Sequence, residues 1–300
     1  MHIFFATDGS ASARFAQAQI LAMPWCPPVH VTVMTAVFVS PPPFTSFVSS
    51  AQQAFDAASA TLRRDAEVRL EEALAKARSA LEAGVGSVAT RMHAGPPGAT
   101  IVEMARACRA DLVAVGSRGL GVYKGFLLGS VSVHVANHAR CSVLLAKTPP
   151  KGKKRYLLAL DDSPYAVAAI RWLRGLDLSE GAGIHLVKVF RSRERFPDPD
   201  ASKFAPWGDA PEVLEAIREE GLDAQAARVT VEARFGHEVP EILASVRKFE
   251  PELLVIGAKG HCSPAASPLG NVARKLIDHA PCSVLVVRPS GQGTPGPFSR

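Results

Sequence analysis

The feature that most constrains the fold of this chain is an internal duplication. Residues 128–145 (LGSVSVHVANHARCSVLL) align without a gap on residues 269–286 (LGNVARKLIDHAPCSVLV), with nine identities in eighteen positions. Unrelated segments of this length would share roughly one. The offset of 141 residues also relates Cys141 to Cys282. The chain is therefore predicted to contain two homologous domains.

The repeat sets the expected domain limits. We predict a first domain over residues 1–148, a linker over 149–155 and a second domain over 156–290, followed by a disordered tail over 291–300. The linker is rich in Pro, Gly and Lys, and the tail in Gly, Pro and Ser, with little apolar surface to bury. The first copy carries about twelve extra residues, which we assign to the region Pro41–Leu62 after its second strand.

Within each copy, short apolar runs alternate with helix-compatible segments. The predicted strands of the first copy are Ile3–Thr7, Val29–Val39, Val88–His93, Leu112–Val115 and Ser142–Lys147, and those of the second are Tyr156–Leu160, Gly183–Phe190, Arg228–Arg234, Leu253–Ile256 and Ser283–Arg288. Nearly continuous apolar strands that alternate with helices indicate mainly parallel sheets covered by helices on both faces. The expected fold class is α/β, with two such sheets in tandem.

Composition excludes several classes of protein. The longest apolar runs fall short of the roughly 18 residues of a membrane-spanning helix, and the start of the chain lacks the basic flank of a signal peptide. We therefore expect a cytoplasmic protein that does not bind membranes. The five cysteines form no CxxC pair, which argues against a zinc site or a disulfide framework. Cys141 and Cys282 are predicted to be buried, and His261-Cys262 lacks a second ligand pair.

The formal charge of +6 does not indicate a nucleic-acid-binding protein. Most basic residues are dispersed among acidic ones, and the one cluster falls in the Pro/Gly/Lys segment between the copies. That cluster consists of Lys147, Lys151, Lys153, Lys154 and Arg155. A solvated linker is the favoured interpretation, although a phosphate-rich ligand would also feel this charge.

A glycine frame follows the fourth strand of the first copy. It reads Gly116-x-x-Gly119, then nine residues, then Gly129-Ser130. Glycines allow the backbone to turn sharply and to approach a phosphate closely. Gly129-Ser130 opens a helix, whose free N–H groups favour an anion. The frame and Asp8, which follows the first strand, would meet at the carboxyl ends of the strands, where open α/β sheets bind ligands.

Each of these residues also has a purely structural interpretation. The glycines could serve only turns, and Ser130 could be an ordinary helix cap. Arg118 and Lys124 could neutralise phosphate charge, but flexible basic side chains are more often solvated surface. The complete spacing, together with Asp8, favours the nucleotide interpretation.

The pattern resembles the universal stress protein family, whose ATP-binding members carry G-x-x-G, nine residues, then G-[S/T], with an acidic residue after the first strand. The resemblance spans essentially residues 1–290, in two copies. It implies two five-stranded sheets of strand order 3-2-1-4-5, packed as an intramolecular pseudo-dimer, and leaves further dimerisation open.

The resemblance also implies roles for residues of the first copy. Gly116, Gly119, Gly129 and Ser130 would hold the phosphates and ribose of ATP, with Asp8 beside the ribose or a Mg²⁺ ion that accompanies the nucleotide. Ala6 and the backbone near Ala36 would line the adenine pocket. The full predicted set is Ala6, Thr7, Asp8, Ala36, Gly116, Arg118, Gly119, Gly129, Ser130 and Val131. No catalytic residue is assigned.

The second copy departs from the motif and predicts a weaker site. Its corresponding residues are Asp161, Val189, Gly257, Gly260, Gly270 and Asn271. Asn271 replaces the hydroxyl residue, and Pro264 and Pro268 remove two backbone donors from the intervening loop.

Three functions remain open at this point. The first is a nucleotide-dependent regulatory protein of the stress response, read by an unidentified protein partner. The second is a slow ATPase, which is disfavoured because the sequence has no Walker motif and no His or Glu beside the glycine loop. The third is an interaction scaffold that does not bind nucleotide.

Overall fold

The structure is a computed structural model that describes residues 1–38, 49–119, 128–178, 181–191, 211–221, 229–260 and 268–289. Lys124, His261, Cys262, Pro264 and the predicted tail lie outside the described residues. Part of the Pro41–Leu62 region does as well, and the rest of that region belongs to the second helix of the chain.

Strands and helices alternate throughout, as the sequence predicts. The first half contains β1 (His2–Ala6), α1 (Ala11–Ala22), β2 (His30–Val37), α2 (Ser49–Glu82), β3 (Ser87–Ala94), α3 (Pro97–Ala107), β4 (Leu112–Gly116), α4 (Ser130–His138) and β5 (Ser142–Ala146). The second half contains β6 (Arg155–Ala159), α5 (Pro164–Trp172), β7 (Gly183–Phe190), α6 (Pro211–Glu219), β8 (Val229–Phe235), α7 (Glu238–Phe249), β9 (Leu253–Gly257), α8 (Asn271–His279) and β10 (Ser283–Val287).

Each half has the strand order 3-2-1-4-5, and the two halves share one sheet. The complete order is β3-β2-β1-β4-β5-β10-β9-β6-β7-β8. All neighbouring strands are parallel except the central pair, β5 and β10, which is antiparallel. The predicted five-stranded sheets are therefore found, and they merge into a single ten-stranded sheet.

The central pairing relates the two halves by an approximate two-fold axis. Leu144 pairs with Leu285, which is its own counterpart in the repeat, while Val143 pairs with Val286. All residues of β5 and β10 are buried. Helices cover both faces, with α1, α2, α5 and α6 on one side and α3, α4, α7 and α8 on the other. Both apolar layers run through both halves of the chain.

The cysteine predictions agree with this packing. Cys282 is buried and Cys141 is half-buried, and burial raises the pKa of each thiol to about 11. Within the described residues, none of the helices is both long enough and apolar enough to cross a membrane.

The outer strand of the second half, β8, carries a polar network. Glu232 accepts hydrogen bonds from Ser245, from His185 Nε2 at 3.1 Å and from Arg234 at 3.0 Å. Burial alone would raise the pKa of Glu232, but the donors around it outweigh burial and lower the pKa to about 2. Burial also lowers the pKa of His185, so its ring is neutral near pH 7 and donates one N–H to Glu232. Charged side chains on an edge strand also discourage pairing with other chains.

The Glu232 network predicts a pH-dependent contribution to stability. Because the pKa of Glu232 is lower in the folded state, its stabilisation is complete above the unfolded pKa near 4.5 and is lost as the pH falls toward 2. We expect Glu232→Gln to reduce the free energy of unfolding by about 1–3 kcal/mol at pH 7. Urea unfolding at pH 7, 4 and 3 should show this difference shrinking. The exposed Glu219→Gln is the control, and a difference for Glu232→Gln that stays constant with pH would contradict the account.

Candidate functional site

The candidate site lies where β1 and β4 end side by side. The chain crosses from β1 toward β2 on one side and from β4 toward β5 on the other, which makes this edge a topological switch point. Asp8 follows β1 and lies against Gly119 in the loop after β4. A Cβ atom added to Gly119 would be only 2.8 Å from Asp8 Oδ2. Glycine at this position therefore lets the carboxylate and the loop approach each other closely.

Two serines of the first helical turn fix the start of this loop. The Arg118 carbonyl accepts hydrogen bonds from Ser12 Oγ and, at 3.3 Å, from Ser10 Oγ. The Arg118 N–H donates to Ser12 Oγ at 3.2 Å. Ser10 is also the N-cap of α1 and accepts from Ala13 N. The backbone at Arg118 is thus held by α1, the helix that follows β1 in the sequence.

The end of the loop returns to its beginning at Ser117. The Ser117 carbonyl accepts from Gly129 N and from Ser132 Oγ, both at 2.8 Å. Gly129 is the N-cap of α4 and has no side chain to satisfy the first-turn N–H groups. Ser130 is the first helical residue and is exposed, while Val131 packs partly against the core. Gly129 lies beside Gly119, so the positive end of α4 is close to the Asp8–Gly119 contact.

The remaining predicted residues lie at the ends of the adjoining strands. Ala6 and Thr7 are each 8% exposed, and Thr7 N donates to the Met34 carbonyl of β2 at 2.9 Å. Ala36 lies two residues further along β2 and is half-buried. The structure thus gathers Asp8, Arg118, Gly119 and Gly129 around the loop, and it sets Ala6, Thr7 and Ala36 along the neighbouring strand ends.

The second half repeats the backbone of this site. A Cβ atom added to Gly260 would lie 2.8 Å from Asp161 Oδ2. Gly270 is the N-cap of α8 and donates to the Ala258 carbonyl at 2.8 Å, as Gly129 does to Ser117. Asn271 begins the helix, and Val189 occupies β7 as Ala36 occupies β2.

The hydroxyl groups of the first site are not repeated in the second. Tyr165 replaces Ser12, and its Cβ lies 2.7 Å from the position of a Cβ on Gly257. The counterparts of Ser117 and Ser132 are Ala258 and Ala273. The N-cap Ser163 turns its hydroxyl to Asp161 Oδ1 at 2.5 Å, whereas Ser10 directs its hydroxyl to the loop carbonyl.

The second site also has an ion pair next to the end of β6, formed by a buried lysine and an aspartate. Lys188 is 4% exposed and lies 2.7 Å from Asp162 Oδ1. Its counterpart in β2 is Thr35, whose buried hydroxyl has no hydrogen-bond partner among the described residues. The pair therefore fixes the loop after β6 in a way that the first half does not share.

Several residues that hold the candidate loop carry no signal in the sequence. Ser12, Ser117 and Ser132 match no motif, and Ser12 meets Arg118 across 106 positions of the chain. Lys147 belongs to the basic cluster that the sequence assigns to a solvated linker. That assignment is wrong for Lys147, because its ammonium group hydrogen-bonds to carbonyls of the other half. The repeat does carry one signal, because the residue that corresponds to Lys147 in the second copy is also basic, Arg288.

A duplicated, doubly wound α/β chain with a glycine loop at the switch point defines a narrow class of two-domain protein. The family model described as the universal stress protein family matches residues 1–147 and again residues 153–288. The chain belongs to the universal stress protein family.

Similar proteins span several organisms. A universal stress protein of Mycobacterium tuberculosis H37Rv is 26% identical over 227 residues, which are 73% of this chain and 76% of that protein. One of Methanocaldococcus jannaschii is 38% identical over 81 residues, 27% of this chain and 48% of that protein. The crystal structure of a universal stress protein from Archaeoglobus fulgidus has a TM-score of 0.63 at 21% identity and covers 96% of both chains. This structural likeness shows the shared fold.

Gly116 and Gly129, at the two ends of the loop, are predicted to differ in how well they tolerate replacement by alanine. A Cβ atom on Gly116 would lie 2.5 Å from Ser12 C and 2.6 Å from Ala13 N, which are backbone atoms of α1. Within the part of the chain that the structure describes, a Cβ atom on Gly129 would meet nothing closer than 3.4 Å. We expect Gly116→Ala to lower the free energy of unfolding by about 1–3 kcal/mol, and Gly129→Ala by less than about 1 kcal/mol. Urea unfolding measures both, and equal stability of the two variants would contradict this packing.

Proposed function

We propose that this chain is an ATP-binding regulatory protein whose better nucleotide site lies in the first half. The main support is that Asp8, Gly119 and the start of α4 lie close together at the loop neck, where the loop after β4 begins and ends. The N-cap of α4 is a glycine and makes no side-chain hydrogen bond. In this proposal the domains extend over residues 1–148 and 156–290. The nucleotide-bound form would be read by a protein partner in the cytoplasm.

The chemistry of the loop suits a polyphosphate. The first N–H groups of α4 have no intrahelical acceptor, and the glycine cap provides none. The helix dipole favours negative charge at the same point, and Ser130 adds an exposed hydroxyl donor. Arg118 follows directly after β4 and supplies a positive charge. The apolar strand ends at Ala6 and Ala36 offer a surface for a base.

A magnesium ion would arrive with the nucleotide. Among the described residues, no group of three or more His, Cys, Asp or Glu side chains is gathered as a protein-made metal site requires. Mg²⁺ that is bound through ATP needs only one or two carboxylates, since phosphates and water complete its shell. Asp8 is the carboxylate at the loop neck and would fill that role.

The preference for the first half follows from the hydroxyl groups. The hydroxyls of Ser12 and Ser132 are both bonded to the loop backbone of the first half. A loop held in one arrangement loses less entropy when a ligand binds. The second half has Tyr165 and Ala273 in place of these two serines and Asn271 in place of Ser130, so its site is expected to bind more weakly.

Calorimetric titration with Mg-ATP tests the proposal. Gly129 and Gly270 have φ angles of −79° and −69°, so their backbones accept other residues. A valine at either position would enter the space before its helix. We expect Gly129→Val to abolish the tighter binding event and Gly270→Val to leave it intact.

Two outcomes would overturn this assignment. Loss of binding only in Gly270→Val would move the better site to the second half. No ATP affinity in the wild-type chain would leave the scaffold interpretation. A phosphate-release assay on the same samples separates binding from the slow ATPase alternative.

A further inference from the structure

Two basic side chains, one from each half, reach the other half of the chain from equivalent positions in the repeat. Lys147 follows β5 and Arg288 follows β10, and they are counterparts in the repeat. The neighbouring bonds are matched as well. Lys147 N donates to Ser283 Oγ at 3.2 Å, and Arg288 N donates to Ser142 Oγ at 3.3 Å. The approximate two-fold axis therefore extends from the sheet to these side chains.

Lys147 holds the end of the last helix of the second half. Its Nζ donates to the carbonyls of Asp278 at 3.2 Å and Ala280 at 2.7 Å. These belong to the final turn and C-cap of α8, where carbonyls lack intrahelical partners. A cation there also complements the negative end of the helix dipole.

Arg288 does the same for the last helix of the first half. Its guanidinium donates to the carbonyl of Ala136 in α4 and, at 3.3 Å, to that of Cys141 just beyond the helix. Burial lowers the pKa of Arg288 from its ordinary value and that of Lys147 to about 8. Both cations have thus exchanged much of their hydration for helix-end carbonyls.

The opposite ends of these two helices are the candidate phosphate cradles. The helix α4 begins at Ser130 after Gly129, and α8 begins at Asn271 after Gly270. Each helix has only nine residues, which corresponds to roughly 13 Å. A helix this short moves as one body, so holding its last turn also fixes its first turn.

Each cation is also tied to the loop of its own half. The residue before Lys147 is Ala146, whose carbonyl accepts from Ser117 N at 2.8 Å. The residue before Arg288 is Val287, whose carbonyl accepts from Ala258 N at 2.8 Å. The loop of one site and the helix of the other site are therefore bonded to two adjacent residues on each side of the axis.

We propose that Arg288 positions the nucleotide cradle of the first half and that Lys147 positions the cradle of the second half. Each residue belongs to one half and acts on the site of the other, so the two sites are coupled through these contacts. The inference rests on the proposed function for its consequence on ATP, but the positioning itself is a property of the chain without ligand.

Hydrogen exchange of the ligand-free protein at pH 7, read by mass spectrometry, tests the positioning. We expect Arg288→Ala to speed exchange in the α4 peptide by on the order of tenfold and to leave α8 unchanged. We expect Lys147→Ala to do the reverse. Lys153→Ala, which removes an exposed lysine paired with Glu250, is the control and should alter neither helix.

Two further variants distinguish the positioning of α4 by Arg288 from a general loss of stability. Lysine serves naturally at the counterpart position, so Arg288→Lys should restore most of the protection of α4. Leu285→Ala weakens the central pairing without removing the bond to α4. Uniform acceleration of both helices in Arg288→Ala, or the same α4 pattern in Leu285→Ala, would overturn the inference and leave only a general loss of stability.

Mg-ATP affinity provides the second measurement. If the wild-type chain binds ATP, Arg288→Ala should weaken the first-half site by about tenfold, and Arg288→Lys should recover most of that affinity. Unchanged affinity in Arg288→Ala would contradict a role for Arg288 in binding. If the wild-type chain binds no ATP, the proposed function fails, while the crossed exchange pattern still decides the positioning.

Discussion

The antiparallel pairing of β5 with β10 is the interaction on which the rest of this structure depends. Each strand would otherwise be the outer strand of a five-stranded sheet, although all its residues are buried and all but the first serine are apolar. Such an edge would invite aggregation. Pairing Leu144 with Leu285 removes both edges at once and imposes the two-fold relation of the halves. It also brings each strand end to the last helix of the other half, where Lys147 and Arg288 act.

The duplicated halves keep the same backbone but differ in the bonds that hold their loops. Both carboxylates, Asp8 and Asp161, lie against a glycine of the neighbouring loop, where an added Cβ atom would be 2.8 Å from a carboxylate oxygen. The first half adds serine hydroxyls around this contact, whereas the second half has Tyr165 and the Lys188–Asp162 ion pair. Among the described residues the two loops share the same backbone contacts, so the differences that the structure describes lie in the side chains.

Much of the fold could be predicted from the sequence because its signals are local. The apolar runs locate all ten strands to within about two residues, and the glycine frame locates the loop neck. Contacts that depend on distant partners could not be predicted. Ser12 meets Arg118 only because β1 and β4 are neighbours. Lys147 belongs to a basic cluster whose Pro, Gly and Lys neighbours indicate a solvated segment, although its hydrogen-bond partners lie more than 130 residues away. The merging of the two sheets likewise depends on pairing between the halves.

A crystal structure of the full chain grown with Mg-ATP would show where the nucleotide binds. We expect density for a triphosphate between Gly119 and the first turn of α4, with Asp8 facing the metal or ribose. Density confined to the corresponding loop before α8, or nucleotide bound away from both loops, would contradict the proposed first-half site.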